Sequence, residues 1–87
     1  MKINSIYYHP SFKKAFLGLP SSLRRKAIKK EKIFFKNPFD QRLKTHKLHG
    51  RLKNQCSFSV DKKNRIIFIF DNKDVIFLDV GDHDIYN

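Results

Sequence analysis

Apolar positions follow two different rhythms in the two halves of the chain. Through residues 11–36 they recur at helical spacing. Phe12, Phe16 and Leu17 share one side of a short segment opening at Ser11-Phe12-Lys13-Lys14, which Gly18 closes. Leu23, Ala27, Ile28, Phe34 and Phe35 then lie on one broad face, with Arg25, Lys26, Lys29, Lys32 and Lys36 opposite. The spacing predicts a helix over 11–17 and a second that runs to about Lys36. Pro20 suits the first turn of the second helix, Ser21 and Ser22 suit its cap, and Asn37-Pro38 stops it.

From Cys56 onward the period becomes two. Cys56, Phe58 and Val60 alternate with Ser57 and Ser59, as in a half-buried strand. Arg65 to Phe70 is a nearly continuous apolar run and so a central strand. Val75 to Val80 is the last strand, broken at Gly81. The polar runs Asp61-Lys62-Lys63-Asn64 and Asp71-Asn72-Lys73-Asp74 form the turns between them. Lys2 to Tyr8 leans toward strand and ends at His9-Pro10, since the residue before proline is pushed out of the helical region. The order strand, helix, helix, strand, strand, strand predicts an α+β layer. A small, mostly antiparallel sheet carries both helices on one face. Ser57 and Ser59 point to the other, less apolar face, which is free to be a working surface.

Eighty-seven residues predict one domain, 1–87, around one modest core. At 40% apolar and 14% aromatic the chain is too hydrophobic to be disordered. Its longest apolar run, Ile66 to Phe70, is far too short to cross a bilayer, and no signal peptide is visible, so no membrane role is expected. A single cysteine, Cys56, excludes an internal disulfide and fits a reducing cytoplasm.

Charge sharpens the picture. The net charge is +11, and residues 24–53 hold twelve Lys and Arg against only Glu31 and Asp40. Residues 54–87 hold four basic residues against six acids. So uneven a distribution points to a polyanion, because neutralising phosphates releases counterions. An acidic protein partner would satisfy the same charge.

Four histidines, His9, His46, His49 and His83, could exchange a proton near neutrality. RNA cleavage without a metal needs a base for the 2′-hydroxyl, positive charge around the phosphate, and an acid for the leaving oxygen. His46 and His49 lie in the basic run 42–51. His83 and Tyr86 follow the last strand, and Arg65 opens the central one, where it could hold a phosphate or pair with Asp61 or Asp79. His9, beside a proline, reads as structural or exposed. With one cysteine and no second ligand pair beside His46 and His49, neither a metal site nor a cofactor is expected.

Three strings then carry a family likeness: Leu43 to Gly50; Ser57-Phe58-Ser59-Val60 followed by Arg65-Ile66-Ile67-Phe68; and Leu78 to Tyr86. Together with the layout, they resemble the RelE/ParE superfamily of bacterial toxins, in particular its RelE/YafQ-like mRNA interferases, over nearly the whole chain. The resemblance implies a ribosome-dependent, metal-independent endoribonuclease that cuts mRNA in the decoding site and inhibits translation. It also implies an acidic antitoxin partner, through which promoter DNA is bound. It assigns His46, His83, Arg65 and Tyr86 to catalysis, and Lys44, Lys47, Arg51 and Lys53, with His49 beside them, to RNA binding. Many RelE-like members carry an arginine where this chain has Ser59, so the catalytic set is thinner than usual. A ParE-like poison of DNA gyrase is the alternative, although such branches lack the histidine and arginine set. A degenerate toxin that only binds antitoxin or RNA is a further one.

Overall fold

The computed structural model describes residues 2–48 and 54–82. Five strands form one sheet: β1 (Ser5–Tyr8), β2 (His46–Lys47), β3 (Cys56–Ser59), β4 (Asn64–Asp71) and β5 (Asp74–Asp82), in the spatial order β1-β5-β4-β3-β2. β1 runs parallel to β5, and every other pair is antiparallel. Helices α1 (Pro10–Leu17) and α2 (Ser21–Lys36) follow β1. The α+β layer read from the sequence is the one observed.

Two local expectations are corrected, and one strand was not expected. Ser21 and Ser22 do not cap α2. Pro20 occupies the cap position, and its carbonyl accepts from the N–H groups of Leu23 and Arg24. Gly81 does not end the last strand, because pairing with β4 carries β5 on to Asp82 and sets Gly81 opposite Arg65. The short strand β2 has no apolar pattern to announce it.

His9 is structural, as its place before a proline suggests. It caps α1, its Nδ1 accepting from the N–H of Ser11 at 3.1 Å. A hydrogen-bonding side chain at that position satisfies one of the orphan donors of a helix start.

The core is aromatic. Phe34 of α2 is fully buried and meets Phe58 at 4.5 Å, Phe68 at 4.8 Å and Phe77 at 5.6 Å between ring centroids. Phe12 of α1 joins them edge-on through Phe77. Ala27 is buried with Phe34, whereas Ile28 and Phe35, placed by spacing on the same apolar face, sit at its rim and stay about 40% exposed.

A register shift between Ile67 and Phe68 matters for the far side of the sheet. Phe68 pairs with Phe77 but Ile67 pairs with Asp79, so Leu78 is skipped. One extra residue on a strand reverses which face its successors take. Phe77 and Val80 therefore both face the core, although they are three apart. Ser11 Oγ donates to the carbonyl of the skipped Leu78 at 2.6 Å, tying α1 to the bulge. As a result Asp79 and Gly81 share the helix-free face with Arg65 and Ile67.

Candidate active site

That helix-free face gathers the polar side chains of the candidate site. Directly paired residues on neighbouring strands share a face. His46 pairs with Ser57, Ser57 with Ile67, and Ser59 with Arg65. Four polar side chains from three strands are thereby gathered on one surface.

Arg65 is the centre of the group. Its Nε donates to Ser57 Oγ at 2.8 Å, and one terminal nitrogen donates to the Lys44 carbonyl at 2.8 Å. The same nitrogen lies 3.1 Å from His46 Nδ1. Among the described residues its hydrogen bonds go to these groups rather than to Asp61 or Asp79. Asp61 instead accepts from Lys63 and Asn64 within its own turn, and Asp79 accepts from the N–H of Val80. Partial burial works against the Asp61 charge, but those turn donors outweigh it and hold the carboxyl below its ordinary range.

Ser57 points to the helix-free face, as its alternation with apolar residues suggests, yet it is fully buried, and the Arg65 side chain reaches it across the sheet. Its role as an anchor for Arg65 was not legible in the sequence, since the partner lies diagonally on another strand.

The segment that delivers His46 is built from short-range contacts. The Asp40 carboxylate caps a 3₁₀ turn, Gln41–Leu43, by accepting from the Arg42 N–H, and it also takes the Arg42 guanidinium through both oxygens. This clamp holds the Asp40 carboxyl at about 2. Leu43 is buried, and Lys44 then takes the left-handed conformation at φ 49°. For a residue with a side chain that geometry costs of order 1 kcal/mol. Here it aims the Lys44 carbonyl at both Arg65 and His46.

His46 Nδ1 is 3.1 Å from that carbonyl as well as from Arg65. The nitrogen can serve only one of them in a given tautomer. If Nδ1 carries the proton and donates to Lys44 O, Nε2 is left as a base. If Nδ1 accepts from Arg65, Nε2 carries the proton and presents an N–H donor. The ring is exposed, so either form can meet a substrate.

Lys44 and Lys47 are exposed. Cys56 pairs with Lys47 in the ladder; burial pushes its thiol up despite the lysine. His83, Tyr86, His49, Arg51 and Lys53 lie outside the described residues. Among the described residues no cluster of three His, Cys, Asp or Glu side chains could hold a metal ion, and no helix is long and apolar enough to cross a membrane.

No protein-family model matches the sequence, and a search of curated proteins gives no match. Solved structures do match. YafQ from E. coli superposes with a TM-score of 0.73 at 18% identity, covering 98% of both chains. The fold is that of the RelE/ParE toxins. The archaeal RelE–RelB complex from Pyrococcus horikoshii gives a TM-score of 0.72 at 18% identity, over 94% of this chain and 96% of that one. The YoeB dimer from Staphylococcus aureus gives 0.74 at 16%, over 95% and 99%. At such identities the likeness concerns the fold, and the side chains must speak for the chemistry.

Proposed function

We propose that the protein, over residues 1–87 as one domain, is the toxin of a type II toxin–antitoxin pair and cleaves mRNA on the ribosome in the cytoplasm. The observation that carries this reading is the contact of Arg65 with His46, a fixed cation touching an imidazole on a polar, helix-free sheet face. Both groups are needed where a 2′-hydroxyl attacks its own phosphate without a metal. Arg65 stabilises charge growing on the phosphate, and His46 moves a proton. His83 supplies the second proton-transfer group and Tyr86 orients the reacting nucleotide. Lys44, Lys47, His49, Arg51 and Lys53 hold the backbone of the RNA.

An acidic antitoxin is the partner that keeps this activity in check, and through it the pair reaches promoter DNA. The likeness to an archaeal RelE–RelB complex supports such a partner, as does the +11 charge. Pulse labelling after induced expression tests the reading. Protein synthesis is expected to stop before DNA synthesis, and His46→Ala or His83→Ala variants that still fold are expected to relieve the arrest. Arrest of DNA synthesis first, with both variants fully toxic, would instead identify a gyrase poison. A folded wild-type chain with no effect on growth would mark a degenerate toxin.

A further inference from the structure

His46 borders two features at once. On one side it touches Arg65. On the other it lines a cleft of about 620 Å³ whose walls include Phe39, Lys47, Asn54, Ile69 and Phe70. Apart from His46 and Lys47, its lining has no part in the proposed cleavage.

Phe39 is its unusual member. The residue is 57% exposed, yet its backbone is fixed. Its N–H donates to Asn37 Oδ1 at 3.0 Å, the Asp40 N–H donates to the Asn37 carbonyl at 3.1 Å, and Pro38 between them is fully buried. Thr45 Oγ1 donates to the Pro38 carbonyl, which locks this turn to the segment delivering His46. The Phe39 ring leans on Phe70 with centroids 6.0 Å apart and planes tilted by 31°, and the rest of it faces solvent. An aromatic side chain held in water on a rigid turn gives up hydrophobic stabilisation that burial would have provided. It gains a flat surface ready for a ligand.

The surroundings select the ligand class. Lys47 brings positive charge to the cleft, and the Asn54 amide offers a donor and an acceptor. The Asp40 charge, next in the chain to Phe39, is taken up by Arg42. Burial favours the neutral form of the Cys56 thiol in the wall. Stacking surface, amide and cation together suit a base of single-stranded RNA, which is held by ring stacking, edge hydrogen bonds and backbone charge. We infer that this cleft is a nucleobase subsite, with Phe39 as the stacking platform for a base of the strand whose phosphate lies at Arg65 and His46. The subsite deepens the ribonuclease reading, on which it rests, by assigning a residue that chooses where the strand sits.

The test uses the full chain and a short RNA carrying 2-aminopurine, whose fluorescence falls when the base stacks. Binding is followed by anisotropy at low salt, with folding of each variant checked by thermal melting. The wild type is expected to quench the probe. Phe39→Ala is expected to lose the quench and bind about 5- to 100-fold more weakly, in line with the loss of one base–aromatic stack. Phe39→Tyr, which keeps the ring, is expected to retain both. RNA that binds without quenching, a quench unchanged in Phe39→Ala, or no binding at low salt would each overturn the subsite. Cleavage in a translating extract separates this inference from the one beneath it. Wild type and Phe39→Ala cutting at the same positions and rates would remove the subsite and leave the ribonuclease. A Phe39-dependent quench from a protein that never cuts would remove the ribonuclease and leave the base site.

Discussion

Arg65 is defined by what it reaches as much as by its charge. Its Nε and a terminal nitrogen bond to groups on different elements, Ser57 Oγ and Lys44 O, so the guanidinium plane is fixed. A lysine has one nitrogen on a flexible stem and cannot hold both. Arg65→Lys is therefore expected to lower the cleavage rate roughly 100-fold, as loss of a preorganised donor does, while leaving the melting temperature nearly unchanged. Single-turnover cleavage beside a thermal melt checks both halves. The Asp40–Arg42 clamp gives a second expectation, on pH. The Arg42 guanidinium holds the Asp40 carboxyl at about 2, below its ordinary 3.8. A depressed folded value stabilises the fold above the unfolded value, and that contribution is lost as pH falls from about 4 through about 2. An NMR titration should place the Asp40 midpoint near 2, with the 41–44 amides moving alongside; a midpoint near 3.8 would mean that the clamp does not form in solution. Of the candidate site, the sequence showed Arg65 and His46 as types suited to the proposed reaction. It could not show Ser57 as an anchor, because a serine alternating with apolar residues reads as solvent-facing wherever its partner lies on another strand.

Among the elements, α2 shows how periodicity sorts residues and where it stops. Phe34 and Phe35 both lay on the apolar face by spacing, but only Phe34 enters the aromatic cluster with Phe58, Phe68 and Phe77. Phe34→Ala is expected to cost about 3–5 kcal/mol through the cavity it leaves, a large share of the stability of so small a fold. Phe35→Ala is expected to cost about 1 kcal/mol or less. Chemical denaturation of the two variants checks the contrast, and equal losses would mean that α2 is rotated relative to the sheet. Both helices, the central strand and the meander were legible because each buries a face of its own at a regular period. β2 was not, since two residues, His46 and Lys47, have no period and owe their strand to pairing with Ser57 and Cys56 of β3. The end of β5 was misplaced for a related reason. Gly81 is a local breaker, but the ladder with β4 overrides it. The reversal at Leu78 is likewise set by the partner strand and by Ser11, which no window on β5 contains.

At the scale of the molecule, the sheet divides the labour. Its helix-covered face holds the core, and its other face holds Arg65, His46 and Ser57. Lys44 and Lys47, from the basic 24–53 stretch, are exposed on either side of Thr45 and His46 in the chain, so RNA association should weaken steeply with salt as counterion release is suppressed. On the proposed reading, electrostatics brings the strand in, the fixed guanidinium holds its phosphate, and imidazole moves the proton. The central claim is that this face cuts mRNA in the ribosome. Primer extension on a reporter mRNA in a translating extract tests it most directly, with wild type beside His46→Ala and Arg65→Lys. Ribosome-dependent cleavage predicts cuts in phase with codons that disappear or fade in both variants. Intact mRNA under a folded wild-type protein, or the same cuts from all three proteins, would contradict it.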